Sequence, residues 1–177
     1  LGGVIETDRE RFVYVDDRFQ WQTTQAGPLT LYWHDQSENY LENVANRAES
    51  SLADIAELLQ VEPDNPLRGV IYNTRREAQD AFPYQSDTIT EQGIFQGFAF
   101  PAEGVFIGVG AEVNLIVHEG AHLLLEEAAS SPTARVPSWV NEGFASFVEP
   151  SVYDYRQSFE GGADPSRMPL RHMSTVP

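Results

Sequence analysis

Two histidines and two glutamates in this chain have the types and spacing of a metal-dependent hydrolase. His118-Glu119-Gly120-Ala121-His122 is an H-E-x-x-H sequence inside the apolar run from Val113 to Leu125. On an α-helix, residues four apart lie about 40° apart in azimuth and ~6 Å apart along the axis. Both imidazoles then project from one face and can close on a single ion. Glu119, beside that face, is placed to take a proton from a water held by the metal. Residues 123–141 separate His122 from Glu142, which sits in the segment Trp139-Val140-Asn141-Glu142-Gly143-Phe144-Ala145. Catalytic zinc takes three protein ligands and keeps a fourth position open, and two histidines with one glutamate are a known set. The expectation is therefore one Zn²⁺ per chain on His118, His122 and Glu142, with Glu119 as general base.

These residues need elements to position them. At 100° per residue, Asn114, His118, Glu119, His122 and Glu126 fall within an arc of about 140°. Val113, Ile116, Val117, Leu123 and Leu124 fill the rest, and Leu115 and Leu125 intrude on the polar arc. Such a stripe predicts a buried helix flooring a cleft; the alternative is a core helix whose histidines bond backbone carbonyls. Glu142 is expected on a second helix, Ser138 to Val148, capped by Ser138 after Pro137. Asn141 is expected to help fix that helix. Upstream, Phe12–Val15, Phe19–Thr23 and Leu29–Trp33 read as strands, with a turn at Gly27-Pro28. A long amphipathic helix runs from Ser37 to about Gln60, on the spacing of Leu41, Val44, Ala45, Ala48, Leu52, Ile55, Ala56 and Leu59. A strand at Gly69–Tyr72 precedes a capping box, Thr74-x-x-Glu77, that opens a helix ended by Pro83. Pro83 to Gln92 reads as a polar loop flanking the cleft. A hairpin, Gly97–Phe100 and Val105–Val109, then leads into the motif helix. Its exposed edge is expected to align an extended peptide by main-chain hydrogen bonds, the alternative being a strand paired on both edges. Most of Phe95, Phe98, Phe100 and Phe106 should be core, and His34 should be a surface or turn residue. The fold class is α/β (α+β), with residues 1–177 as a single domain whose first 26 residues overlap the tail of a preceding β-rich module.

Composition narrows the function. Net charge is −16, from 27 acidic and 11 basic residues, and every basic residue is arginine. That balance repels phosphate backbones and anionic headgroups, so nucleic acid is excluded as a main partner. There is no cysteine, hence no disulfide, thiolate ligand or thiol nucleophile. No apolar run approaches the ~18 residues of a membrane span, so no direct membrane insertion is expected from this segment. The chain begins at Leu1 rather than Met and reads as a fragment of a longer protein.

H-E-G-A-H followed by P-S-W-V-N-E-G-F-A resembles the gluzincin branch of the zincin metallopeptidases, in particular the small peptidase MA-like domains of bacteria. Arg18-Phe19-Gln20-Trp21 and Gly97-Phe98-Ala99-Phe100-Pro101 are similar to upstream segments of that family. The resemblance implies a zincin-like fold, with a mixed sheet whose edge strand lies over the helix carrying H-E-x-x-H. It also implies zinc, hydrolysis of peptide bonds in peptide or protein substrates, and an extracytoplasmic setting, at the cell surface or secreted, with tethering through missing segments. Thermolysin-like enzymes carry an Asp four residues after the third ligand, as partner to a ligand histidine. Ser146 stands there in this chain, and Glu149, one turn further on, is the candidate replacement. Gluzincins also place a Tyr or His to donate to the tetrahedral intermediate. Tyr153 ranks first here, ahead of Tyr155 and His172, and a donor beyond Pro177 in a truncated C-terminal part is an equal alternative. Two other functions stay open: an inactive or auxiliary peptide- or partner-binding module in a larger surface protein, and a zinc hydrolase acting on a non-peptide bond.

Overall fold

The computed structural model describes residues 16–62, 66–83, 96–129 and 136–151. Its centre is a five-stranded mixed sheet in the order β1-β2-β3-β5-β4. β1 (Gln22–Ala26) and β2 (Leu29–Trp33) form an antiparallel hairpin. Gly27 turns the chain there at a φ of +51°, where a Cβ would be penalised. The expected strand from Phe19 thus starts only at Gln22, because Phe19 and Trp21 leave the sheet to pack around His34. The expected strand Phe12–Val15 lies outside the described residues.

α1 (Glu38–Leu59) is the crossover that makes β2 parallel to β3 (Leu67–Tyr72). Its apolar stripe, Leu41, Val44, Ala45, Ala48, Leu52 and Ile55, is buried as the spacing predicts. Ser37 occupies the N-cap position without a side-chain cap bond; its carbonyl accepts from the Leu41 N–H at 3.1 Å. α2 (Arg75–Ala78) opens on the predicted Thr74/Glu77 capping box but lasts a single turn, ending well before Pro83.

β4 (Gly97–Phe100) and β5 (Val105–Val109) are an antiparallel hairpin around a short 3₁₀ turn, Pro101–Glu103. β5 also pairs parallel to β3. β4 has β5 as its only partner among the described residues, so it is an edge of the sheet. α3 (Val113–Ala128) follows β5 directly, and α4 (Ser138–Val148) packs on α3.

Strand alternation sorts the side chains. Leu29, Leu31, Trp33, Leu67, Ile71 and Phe106 are buried on the face covered by α1 and α3. Phe98 and Phe100, which pair with Ile107 and Val105, lie on the opposite face and are half-buried. Of the described phenylalanines expected in the core, Phe106 alone is fully enclosed. α1 comes very close to α3 at Gly120, where a Cβ would stand 2.6 Å from Leu52 Cδ2. The first variable position of H-E-x-x-H is therefore a packing position. No described helix is long and apolar enough to cross a membrane.

Candidate metal centre

α3 leaves the sheet at the end of β5 and is tied there by the Tyr40 hydroxyl, which donates to the Ala111 carbonyl at 2.8 Å. Its buried residues include Ile116, Val117, Ala121, Leu123 and Leu124 on one side and Glu119 and His122 on the polar arc. The core anchors the helix through the first set, so the second is held rigidly at the cleft. The cap of α4 falls one residue earlier than expected. Pro137 takes the N-cap position, and Ser138 is the first helical residue without a cap bond. The Pro137 carbonyl accepts from Val140 and Asn141 instead. Ala145 and Val148 seat α4 on the core, and Glu142 faces the motif helix.

The four residues converge. Glu142 Oε2 lies 3.7 Å from His118 Nε2 and 3.8 Å from His122 Nε2. All three candidate ligand atoms lie within 4.8 Å of one another. A tetrahedral ion with bonds of ~2.0–2.2 Å separates its ligands by roughly 3.3–3.6 Å. The set is thus close to closed around an ion and too far apart for direct hydrogen bonds. The imidazole planes are nearly perpendicular, at 86°, with ring centres 4.9 Å apart.

The outward nitrogens decide the tautomers. His118 Nδ1–H donates to Glu149 Oε1 at 2.9 Å, and His122 Nδ1–H to Asn141 Oδ1 at 2.9 Å. With the proton held on Nδ1, each neutral ring presents an unprotonated Nε2 to the shared point. These residues fit a divalent metal. Glu149 does stand where an Asp would partner the ligand histidine. Asn141 has a more direct part than fixing its helix: it orients the His122 ring. The adjacent position in N-E-G was the signal, since residue 141 lies about 100° from Glu142 and can look toward α3.

Charge is unevenly placed. Burial is the largest influence on His118 and pulls its pKa down, but the Glu149 hydrogen bond and the charges of Glu119, Glu149 and Glu142 outweigh it, so the net shift is upward. His122 moves down, chiefly by burial and partly by the charge of His118, against Asn141 and Glu142. Glu119 is 5 % exposed. Burial, with a smaller push from Glu142 and an opposing pull from His118, raises its carboxyl to about 7 in the metal-free protein. A cavity of about 180 Å³ opens over these groups, walled by Gly97, Phe98, Ala99 and Pro101 opposite His118, Glu119, His122, Asn141 and Glu142. One cleft thus gathers a buried carboxylate, a His118/His122/Glu142 set that could hold a metal ion, and a strand edge.

Family comparison agrees with this geometry. A family model described as the peptidase MA superfamily matches residues 47–164, which include both helices of the site. The chain belongs to the peptidase MA superfamily. No curated protein and no solved structure matches it. The match of this peptidase MA chain takes in β4, α3 and α4, so the cleft is within the family domain.

The remaining candidates fall elsewhere. Tyr153, Tyr155 and His172 lie outside the described residues, as does most of the loop expected to flank the cleft. His34 corrects an expectation: it is 1 % exposed, not on the surface. It stacks on Phe19 with ring centres 4.2 Å apart, with Trp21 and Tyr72 edge-on, at the end of β2. Its aromatic cage was not visible from spacing because Tyr72 comes from a different strand.

Proposed function

We propose that this chain is a zinc-dependent metallopeptidase of the gluzincin type, built on a zincin-like fold. The observation that carries the proposal is the convergence of two Nε2 atoms and the Glu142 carboxylate, with both Nδ1 atoms already committed. Soft thiolate ligands are absent, and the nitrogen and oxygen donors suit zinc. Zinc bound by His118, His122 and Glu142 would polarise the scissile carbonyl and acidify water. Glu119 accepts a proton from the attacking water and delivers it to the leaving amine.

The β4 edge is the proposed aligner of the substrate. Among the described residues its outer edge pairs with no other strand, Gly97, Phe98 and Ala99 line the cavity, and an extended peptide can add there as a further strand. Peptide or protein substrates and an extracytoplasmic setting belong to the same proposal. Zinc content per chain and hydrolysis of an unfolded protein substrate test it together. Wild type should hold one zinc and cleave. Glu119→Gln should keep the zinc and lose at least ~10²-fold in rate. A chain that binds zinc but cleaves no peptide would be an auxiliary binding module instead.

A further inference from the structure

Gly97 of β4 and Gly108 of β5 pair directly across the hairpin. Both lie beneath α3. A Cβ on Gly108 would stand 3.0 Å from Leu115 Cδ2. A Cβ on Gly97 would stand 2.7 Å from both Cγ and Cδ of Glu119, and nearer still to Oε1. Leu115 and Glu119 are four residues apart and form one ridge of the helix. That ridge therefore lies in a saddle made by two glycines. Leu115, which breaks the polar arc of the helix, is explained by the same saddle.

The saddle matters most for Glu119. Among the described residues, no hydrogen-bond partner or short ion pair holds its carboxylate, whereas His118 and His122 each have one. What fixes Glu119 is steric: a backbone without a side chain beneath it. Its burial follows from that close approach. We propose that Gly97 is a positioning residue, the space above its α-carbon being the seat that holds the Glu119 carboxylate beside the metal ligands. The effect on catalysis rests on the function proposed above; the seat itself does not. Gly97 has no left-handed backbone conformation, so alanine there adds a methyl group and no backbone strain.

The test is a two-by-two cycle of Gly97→Ala and Glu119→Ala on the whole chain as purified, read by thermal melting. Overpacking the seat should lower Tm by roughly 2–10 °C in the wild-type background. In the Glu119→Ala background the same methyl group should cost less than about 1 °C, because its obstacle is gone. An equal loss in both backgrounds, or no loss in either, overturns the proposal. Kinetics supply the second arm. Gly97→Ala should keep one zinc per chain and lose on the order of 10- to 100-fold in kcat, with KM within about threefold. A raised KM with kcat unchanged would mean that Gly97 serves substrate approach, and would overturn its role toward Glu119. If the wild-type chain hydrolyses nothing, the functional proposal fails, and the melting cycle still decides the seat.

Discussion

Glu149→Ala separates an orienting hydrogen bond from mere negative charge near the metal ligands. In the wild type, His118 Nδ1–H donates to Glu149 Oε1 at 2.9 Å, and the ring is committed to presenting Nε2. Without that acceptor the neutral imidazole is free to carry its proton on Nε2, the tautomer that cannot bind metal. Loss of such a partner typically weakens metal affinity 10- to 100-fold, about 1.4–2.7 kcal/mol. Glu126→Ala removes the same charge from an exposed position on the same helix as the ligands and should change affinity by about twofold or less. Glu149→Gln keeps a carbonyl acceptor and should fall between wild type and Glu149→Ala. Competition against a chromophoric chelator at fixed ionic strength measures all four proteins. The pH dependence adds a signed check. Although burial pulls His118 down, Glu149 and the neighbouring carboxylates raise its pKa on balance, so in the wild type protons compete with zinc up to a higher pH. Removing Glu149 lowers that pKa and with it the proton competition. The affinity gap should therefore narrow as pH falls. A Glu149→Ala protein that binds zinc as wild type does, or a Glu126→Ala protein that loses as much, would refute the orienting role.

Two further outcomes follow from the same cleft. The Glu119 carboxyl is raised to about 7 by burial, with Glu142 adding to the shift and His118 opposing it. The folded metal-free chain thus holds that proton more tightly than the unfolded one. The corresponding stability is fully present below the ordinary carboxylate range near 4.5 and is lost as pH rises through about 7. It amounts to ~3 kcal/mol at most. Melting curves of chelator-treated protein should show wild type losing more stability than Glu119→Gln between pH 5 and 8, and parallel curves would remove the assignment. For Tyr153, proposed as donor to the tetrahedral intermediate, Tyr153→Phe should cost about 10²–10³ in kcat on a cleaved peptide, and an unchanged rate removes it from the mechanism.

The long-period elements were legible in the sequence because one periodicity governs each of them. α1 buries the residues its spacing selects, and the β4–β5 hairpin and the two site helices fall where the apolar pattern puts them. Short-range chemistry was legible in part. The Thr74/Glu77 box forms as written, yet it opens only one turn, because a cap initiates a helix without supplying the packing that prolongs it. Contacts between distant segments were not legible. His34 reads as a turn residue until Phe19, Trp21 and Tyr72 are brought around it.

The site divides along the same line. The proposed ligand set and general base are encoded by spacing within helices, but their precision comes from residues supplied across the fold. Asn141 and Glu149 reach over from α4 and its end to lock two rings on α3. Gly97 contributes by having no side chain at all. Gly120, inside the motif itself, faces away from the chemistry and lets Leu52 of α1 press the helix toward the sheet. A motif of five residues thus has two faces: His118, Glu119 and His122 carry the reactive groups, while Gly120 and Ala121 set how deeply the helix sits. Depth and chemistry are coupled, since a helix held even slightly farther from β4 would leave Glu119 with room to turn toward solvent, and its proton affinity would return toward that of an ordinary carboxylate.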